Sequence, residues 1–312
     1  MLKSTRIVFM GTPAFACTIL QRLLNENCQV VGVVSQPDKK VGRKQLLQMT
    51  PVKELALANQ LPVLQPVSIK TEYTDILAWN PDLIITCAYG QIIPDIVLNT
   101  PVYGSINVHA SLLPKLRGGA PIHKAIINGD KESGISIMRM VKKMDAGAVM
   151  AQRKVIIEQQ DTTGSLSDKL SLAGADLLME CIPLILNGTA VFREQDEAAA
   201  TFAYNISKEE EKITFTEDVQ EVYNHIRGLI PAPIGYAILN QKKMKFHRVR
   251  MKRQPHAYQP GEMIGMMDGG YAIAASNGFI LVDELQLEGK NKVDAKAYFN
   301  GSGRNDIGKI MQ

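Results

Sequence analysis

From Arg6 to Leu186, short apolar runs alternate with stretches whose apolar residues recur at helical spacing. Few folds can absorb that pattern. Arg6–Met10 and Gln29–Ser35 are buried-strand candidates. Between them Phe15, Ile19, Leu20, Leu23 and Leu24 share one face, which predicts a helix over Ala14–Leu24. Thr50 is placed as an N-cap with Pro51 at the first helical position, opening a helix to about Asn59. Further strands are predicted at Leu83–Ala88, Ser105–His109, Ile135–Met140 and Val149–Ile157, with helices at Pro121–Asn128 and Gly164–Leu186. Strand and helix in alternation imply a doubly wound, mostly parallel α/β sheet of Rossmann-like type, covered by helices on both faces. In such sheets ligands bind outside the carboxyl ends of the strands.

The pattern changes near Asn187-Gly188. The stretch Thr189–Ser207 has weak periodicity, carries Glu194, Asp196 and Glu197, and reads as a connector. After it comes one helical segment, Thr216–Leu229, and then short Gly-punctuated strands at Lys243–Met251, Gly261–Met266, Tyr271–Ala275 and Phe279–Leu287. Short strands at that spacing predict a small β-barrel, OB-like as one option. A chain of 312 residues accommodates two domains. The expected division is 1–188, a connector at 189–207, and a barrel over 208–312.

The apolar run ending at Met10 is stopped by Gly11 and Pro13, too short for a signal core or a membrane span. A cytoplasmic protein without membrane contact is expected, and a monomer. Cys17, Cys28, Cys87 and Cys181 are scattered in apolar settings without a C-x-x-C pair, so buried packing is expected rather than disulfides or a metal site. Gly11-Thr12-Pro13-Ala14-Phe15 lacks the G-x-G-x-x-G spacing, which argues against a nucleotide-binding oxidoreductase. The net charge of +4 says little, but its distribution says more. No acidic residue lies between Glu221 and Glu262, while Arg227, Lys242, Lys243, Lys245, Arg248, Arg250, Lys252 and Arg253 do. That run is either a solvated strand face or a surface that attracts phosphate. Gln36–Lys44, a basic loop after the second strand, carries the same two readings.

The stretch Ser105–Pro121 is the most informative for chemistry. Asn107 and His109 are two apart, so on a strand they point to one side, at its carboxyl end. A polar pair ending a buried strand is costly unless hydrogen-bonded or used. The pair suits acyl transfer to an amine. An amide NH₂ can donate to the oxygen of a tetrahedral intermediate, and an imidazole can donate as well or shuttle a proton. Asp145, after another strand and before Gly147, is the candidate carboxylate to orient the imidazole, or a plain turn residue. No Ser or Cys is clearly paired with a base, so a covalent intermediate is not indicated.

Asn107-x-His109, followed by Ser111-Leu112-Leu113-Pro114 and later Asp145, resembles the folate-dependent formyltransferases, and within them the branch that acts on methionyl-tRNA. Matching pieces include Gln36-Pro37-Asp38, Gly42-Arg43, Pro51-Val52-Lys53, Gln65-Pro66, Ala88-Tyr89-Gly90, Arg117–Ile122 and Ile206–Glu210, so the resemblance covers nearly the whole chain. It implies direct formyl transfer from 10-formyltetrahydrofolate, a donor substrate, to the methionyl amine of initiator tRNA for translation initiation. It implies that Asn107 and His109 bind and polarise the formyl group, with Asp145 supporting His109. It further implies that Ser111, Leu112, Leu113 and Pro114, together with Tyr89, Gly90, Gln91, Ile92 and Ile93, line the folate site. Arg43 and Lys44 would grip the tRNA acceptor end, and Lys208, Lys245, Arg248 and Arg250 its phosphates. No metal is implied. A formyltransferase for a sugar-nucleotide or purine-precursor amine is the alternative, which needs neither the basic loop nor the second domain. A noncatalytic RNA-binding module leaves the Asn107, His109 and Asp145 set unused.

Overall fold

The computed structural model of the chain describes residues 2–42 and 45–312. Two compact units divide it. The first runs up to Pro121 and adds Glu132–Ile156 and Ser167–Tyr204; the second comprises Ile122–Lys131, Ile157–Leu166 and Asn205–Gln312. This differs from the contiguous division read from the sequence, for a physical reason. Apart from one 3-10 turn at Glu197–Ala199 the connector is irregular, yet up to Tyr204 its backbone bonds tie it to the first unit. Val149 and Arg193 exchange hydrogen bonds at 2.8 and 2.9 Å, and Arg117 N donates to Thr201 O at 2.9 Å. Conversely, the Arg227 guanidinium donates to the carbonyls of Glu158 and Asp161, and Thr163 Oγ1 to that of Gly228, which places 157–166 with the second unit.

In the first unit β1 (Ile7–Gly11) leads through α1 (Ala14–Asn25) to β2 (Val30–Val34). A hairpin of β3 (Lys39–Val41) and β4 (Leu46–Gln48) follows, then α2 (Pro51–Ala58) and β5 (Val63–Leu64). Thr50 caps α2 by accepting from Lys53 N at 3.2 Å. Next come α3 (Thr74–Ala78), β6 (Leu83–Cys87), α4 (Asp95–Asn99) and β7 (Ser105–His109). Helix α5 (Pro121–Ile127), which from Ile122 on belongs to the second unit, precedes β8 (Glu132–Arg139) and β9 (Val149–Ile156) of the first, and α6 (Thr163–Leu186) follows, in the first unit from Ser167 on.

Seven strands pair in the order β5-β2-β1-β6-β7-β8-β9. The first five are parallel; β8 pairs antiparallel with β7, and β9 antiparallel with β8. Strands β1 and β6 are buried throughout, as a sheet covered on both faces requires. The chain winds from β1 outward to β2 and β5, then returns to start β6 on the other side. The switch point therefore lies between β1 and β6, where Gly11 pairs with Cys87. Helix α6 approaches β7 and β8 closely at Gly174, where a Cβ would stand 3.0 Å from Val108 Cγ1. All four cysteines are free; Cys28, Cys87 and Cys181 are buried as expected, but Cys17 on α1 is half-exposed.

In the second unit α7 (Val219–Gly228) is capped by Asp218, which accepts from Gln220 N. An antiparallel sheet follows: β10 (Tyr236–Leu239), β11 (Lys242–Arg253), β12 (Met263–Met267), β13 (Gly270–Ala275) and β14 (Gly278–Leu287), ordered β10-β11-β14-β13-β12, with β15 (Lys292–Asp294) on β14 and α8 (Ala295–Asn300) after it. Val222, Ile226, Phe246, Ile280 and Val282 meet in its core. The edge strands β10 and β12 do not pair with each other among the described residues. Instead the segment Lys309–Gln312 bonds to both sides. Ile238 and Gln312 exchange hydrogen bonds at 2.7 and 2.9 Å, Met263 N donates to Lys309 O, and Met311 N donates to Gly261 O. The barrel expected of this domain is thus not closed by strand pairing among the described residues; the tail bonds to both edges of an antiparallel sheet. Among the described residues no helix is long and apolar enough to cross a membrane.

Candidate active site

Strand β7 carries Asn107 and His109 on one side, as period two requires. Asn107 pairs in register with Thr86 of β6 and Met138 of β8. Thr86 Oγ1 donates to Asn107 Oδ1 at 2.9 Å and shares its hydrogen with Ile106 O at 3.2 Å. That contact anchors the amide by its oxygen. Asn107 Nδ2 makes no hydrogen bond among the described residues, so its donors stay available on a half-buried side chain.

His109 is 6% exposed. Its Nε2 lies 3.2 Å from Leu116 O, and its Nδ1 lies 3.7 Å from Asp145 Oδ1. The second distance exceeds hydrogen-bond length, but the carboxylate's field still acts on the ring. Both ring nitrogens face oxygen atoms, Nε2 the Leu116 carbonyl and Nδ1 the Asp145 carboxylate. Asp145 sits at φ +49°, a left-handed conformation that Asp tolerates. Its turn geometry and its approach to His109 therefore coexist. Its Oδ2 accepts from Gly118 N at 2.8 Å. Gly118 has φ +123°, and a Cβ there would stand 2.6 Å from Ala203 O, so only glycine suits this position.

Behind this trio stands a network that sequence reasoning missed. Arg117 is fully buried. Its Nε and Nη2 donate to Gln195 Oε1 at 3.0 and 2.8 Å, and its Nη2 and Nη1 to Glu197 at 3.0 and 3.2 Å. Gln195 Nε2 then donates to the carbonyls of Asp145 and Gly147 at 2.8 and 2.7 Å. Arg117, and after it Lys143, holds the Glu197 carboxyl down to about 2. The connector thus fixes the Asp145 turn. The sequence signal was the acidic cluster at 194–197, in a stretch that read as a connector.

Ser111 to Pro114 form the loop after β7. Ser111 Oγ donates to Lys115 O, Ser136 Oγ to Ser111 O, and Leu113 N to Ser136 Oγ. Gln152 Nε2 holds Leu113 O at 2.8 Å. Leu113 is buried, while Leu112 and Pro114 are half-exposed. The 89–93 segment follows β6 at the same sheet edge and alternates. Tyr89 and Ile93 turn into the core, whereas Gly90, at φ +94°, and Ile92, 67% exposed, face out. Gln91 is spent on Ile69 N, Pro66 O and Val67 O.

The basic residues fare unevenly. Arg43 and Lys44 lie outside the described residues. Lys208 is exposed. On β11 the acid-free run in sequence is not acid-free in space. Arg250 pairs with Asp283 at 2.7 Å, Arg248 with Glu284 at 3.3 Å, Lys252 with Asp268 at 2.8 Å and Arg253 with Asp218 at 3.0 Å. Lys245 forms no ion pair among the described residues. The run, which reads either as a solvated strand face or as a phosphate-attracting surface, is thereby partly neutralised, because β14, the turn at Asp268 and the cap of α7 bring carboxylates from distant positions.

A family model for formyl transferase matches residues 5–182, and one for the formyl transferase C-terminal domain matches 205–303. The chain belongs to the formyltransferase family and is a formyl-transferring enzyme. Among similar proteins are methionyl-tRNA formyltransferases of Bacillus cereus strain G9842 and Bacillus cytotoxicus, each 47% identical over 95% of this chain and 96% of theirs. Two solved structures share the fold. HypX from Aquifex aeolicus in complex with tetrahydrofolic acid superposes with a TM-score of 0.70 at 15% identity, covering 97% of this chain. This chain spans about half of HypX, 48% of its length. WlaRD, a sugar 3N-formyl transferase solved in the presence of dTDP and 5-N-formyl-THF, gives 0.66 at 21% identity over 92% of this chain and 99% of that one.

Proposed function

We propose that this chain transfers the formyl group of 10-formyltetrahydrofolate to the amino group of methionine on initiator methionyl-tRNA, for translation initiation. The observation that carries the reading is an unspent amide donor, Asn107 Nδ2, beside a histidine backed by a carboxylate. The relatives at 47% identity over nearly the full length direct it to methionyl-tRNA. The amine attacks the formyl carbon, forming a C–N bond and a tetrahedral oxyanion. Asn107 Nδ2 donates to that oxygen, an interaction stronger in the transition state than in the ground state. The bond from the formyl carbon to the donor nitrogen then breaks. The attacking amine gives up one proton and the leaving nitrogen gains one, so the net count is zero. His109 holds the proton between the two events, and Asp145 stabilises the ring while it is charged.

The loop from Ser111 to Pro114 and the exposed face of Gly90 and Ile92 would take the folate, with Ile92 offering apolar surface. The tRNA would meet the basic loop residues Arg43 and Lys44 read from the sequence, and Lys208 and Lys245 of the second unit. Incubation with a labelled formyl donor and charged initiator tRNA should yield labelled formyl-methionine. Label appearing instead on a sugar-nucleotide amine supplied alongside would refute this acceptor.

A further inference from the structure

Three sequence pieces that lie far apart meet in one cluster at the root of the β3–β4 hairpin. Lys53 Nζ on α2 donates to Asp38 Oδ2 at 2.6 Å and to Gln65 Oε1 at 2.7 Å. Gln65 Nε2 donates to Asp38 Oδ1 and to Gln36 O, both at 2.7 Å. Beneath them Ser35 Oγ and Thr50 Oγ1, the two residues flanking the excursion, bond to each other at 2.6 Å and are buried. Both carboxylate oxygens of Asp38 are satisfied, and Gln65 and Lys53 together hold its carboxyl below the usual range.

Among its described residues the hairpin itself has nothing comparable. All six residues of β3 and β4 are exposed, and Leu46 and Leu47 are 64% and 67% exposed. A lone two-stranded hairpin is marginally stable in water. Its direction must therefore be set at its root, where the side chains of Lys53 and Asp38 are only 18% and 14% exposed. An isolated surface pair would contribute little. A half-buried, three-way cluster anchored on a capped helix instead selects one geometry among several.

We propose that Lys53, Asp38 and Gln65 form a clamp that aims the hairpin at the acceptor RNA, which makes Lys53 a positioning residue that touches no substrate itself. This rests on the reading above that methionyl-tRNA is the acceptor. Without the clamp the hairpin samples several directions, and RNA binding must supply the ordering.

The test compares Lys53→Met, Lys53→Arg and Asp38→Asn in the full chain. Lys53→Met should raise KM for methionyl-tRNA about tenfold, the scale of one lost charge-assisted hydrogen bond. At saturating RNA, kcat and the KM for the formyl donor should stay within about twofold, since only RNA binding is affected. Lys53→Arg, which keeps a cation with two forks, should recover most of the loss. Asp38→Asn should raise the RNA KM in the same direction, and decides the matter if Lys53→Met proves too unstable to assay. An unchanged RNA KM in the assayed variant overturns the clamp, as does a parallel loss in kcat and both KM values. A wild-type chain that never formylates methionyl-tRNA would instead strike at the acceptor assignment.

Discussion

Replacing Gln195 with leucine removes one side chain that serves two masters. Its oxygen takes two N–H groups from buried Arg117, and its nitrogen serves the carbonyls of Asp145 and Gly147. Leucine has similar bulk but offers neither function. Arg117 keeps Glu197, which leaves its Nε without a partner. An orphaned buried donor on a charged group costs about 1.5–3 kcal/mol, and two deprived carbonyls about 1 kcal/mol each. Water reaches part of this site, because Gln195 is only half-buried, so a loss of about 2–4 kcal/mol in total is expected. A domain stable by roughly 5–15 kcal/mol survives that. The freed Asp145 turn should cost kcat roughly 10–100-fold, since displacements near 1 Å at a reacting centre have effects of that order. Gln195→Glu separates the two roles: it keeps the acceptor for Arg117 and loses the donor to Asp145. Urea unfolding and single-turnover formyl transfer would be measured on both variants. If Gln195→Glu and Gln195→Leu both retain full turnover, the network holds the fold and has no part in placing Asp145.

Acid unfolding should report on Glu197. Its carboxyl is depressed by Arg117 and Lys143, so the stability it adds is fully present above its ordinary value near 4.5 and is lost as pH falls toward 2. Glu197→Gln should flatten the pH dependence of urea unfolding across that window; an unaltered slope would show that the pairing contributes nothing. On β11, Lys245→Ala should reduce the salt slope of tRNA binding by about one, as expected for a lost phosphate contact. Arg250→Ala should change it less, because Arg250 is already paired with Asp283; equal effects would mean that the pair opens to RNA.

Local chemistry was readable where a residue's environment depends on its neighbours in sequence. Thr50 and Pro51 start α2 through capping and fixed φ, and the period of two on β7 placed Asn107 and His109 together. The apolar stripe from Leu166 to Ile185 foretold α6. What escaped depends on pairing across distance. The β3–β4 hairpin is short and exposed on both faces, so it carries no burial pattern. The carboxylates opposite the basic strand come from register with β14, from the turn at Asp268 and from the cap of α7, which no window along the chain contains. Gln195 and Glu197 lie in a segment without periodicity, and only the burial of Arg117 reveals their work. The same is true of the midchain segments 122–131 and 157–166, whose membership in the second unit rests on hydrogen bonds to α7 and its flank.

Single-turnover formyl transfer by Asn107→Ala is the sharpest probe of the chemistry assigned to this sheet edge. With methionyl-tRNA and formyl donor both saturating, the rate should fall about 10²–10³-fold while the fold and substrate binding persist, because the donor to the developing oxyanion is lost and Thr86 Oγ1, which loses Asn107 Oδ1, still has Ile106 O to donate to. A rate equal to that of the wild-type chain would mean that the amide beside His109 does not face the reacting carbonyl.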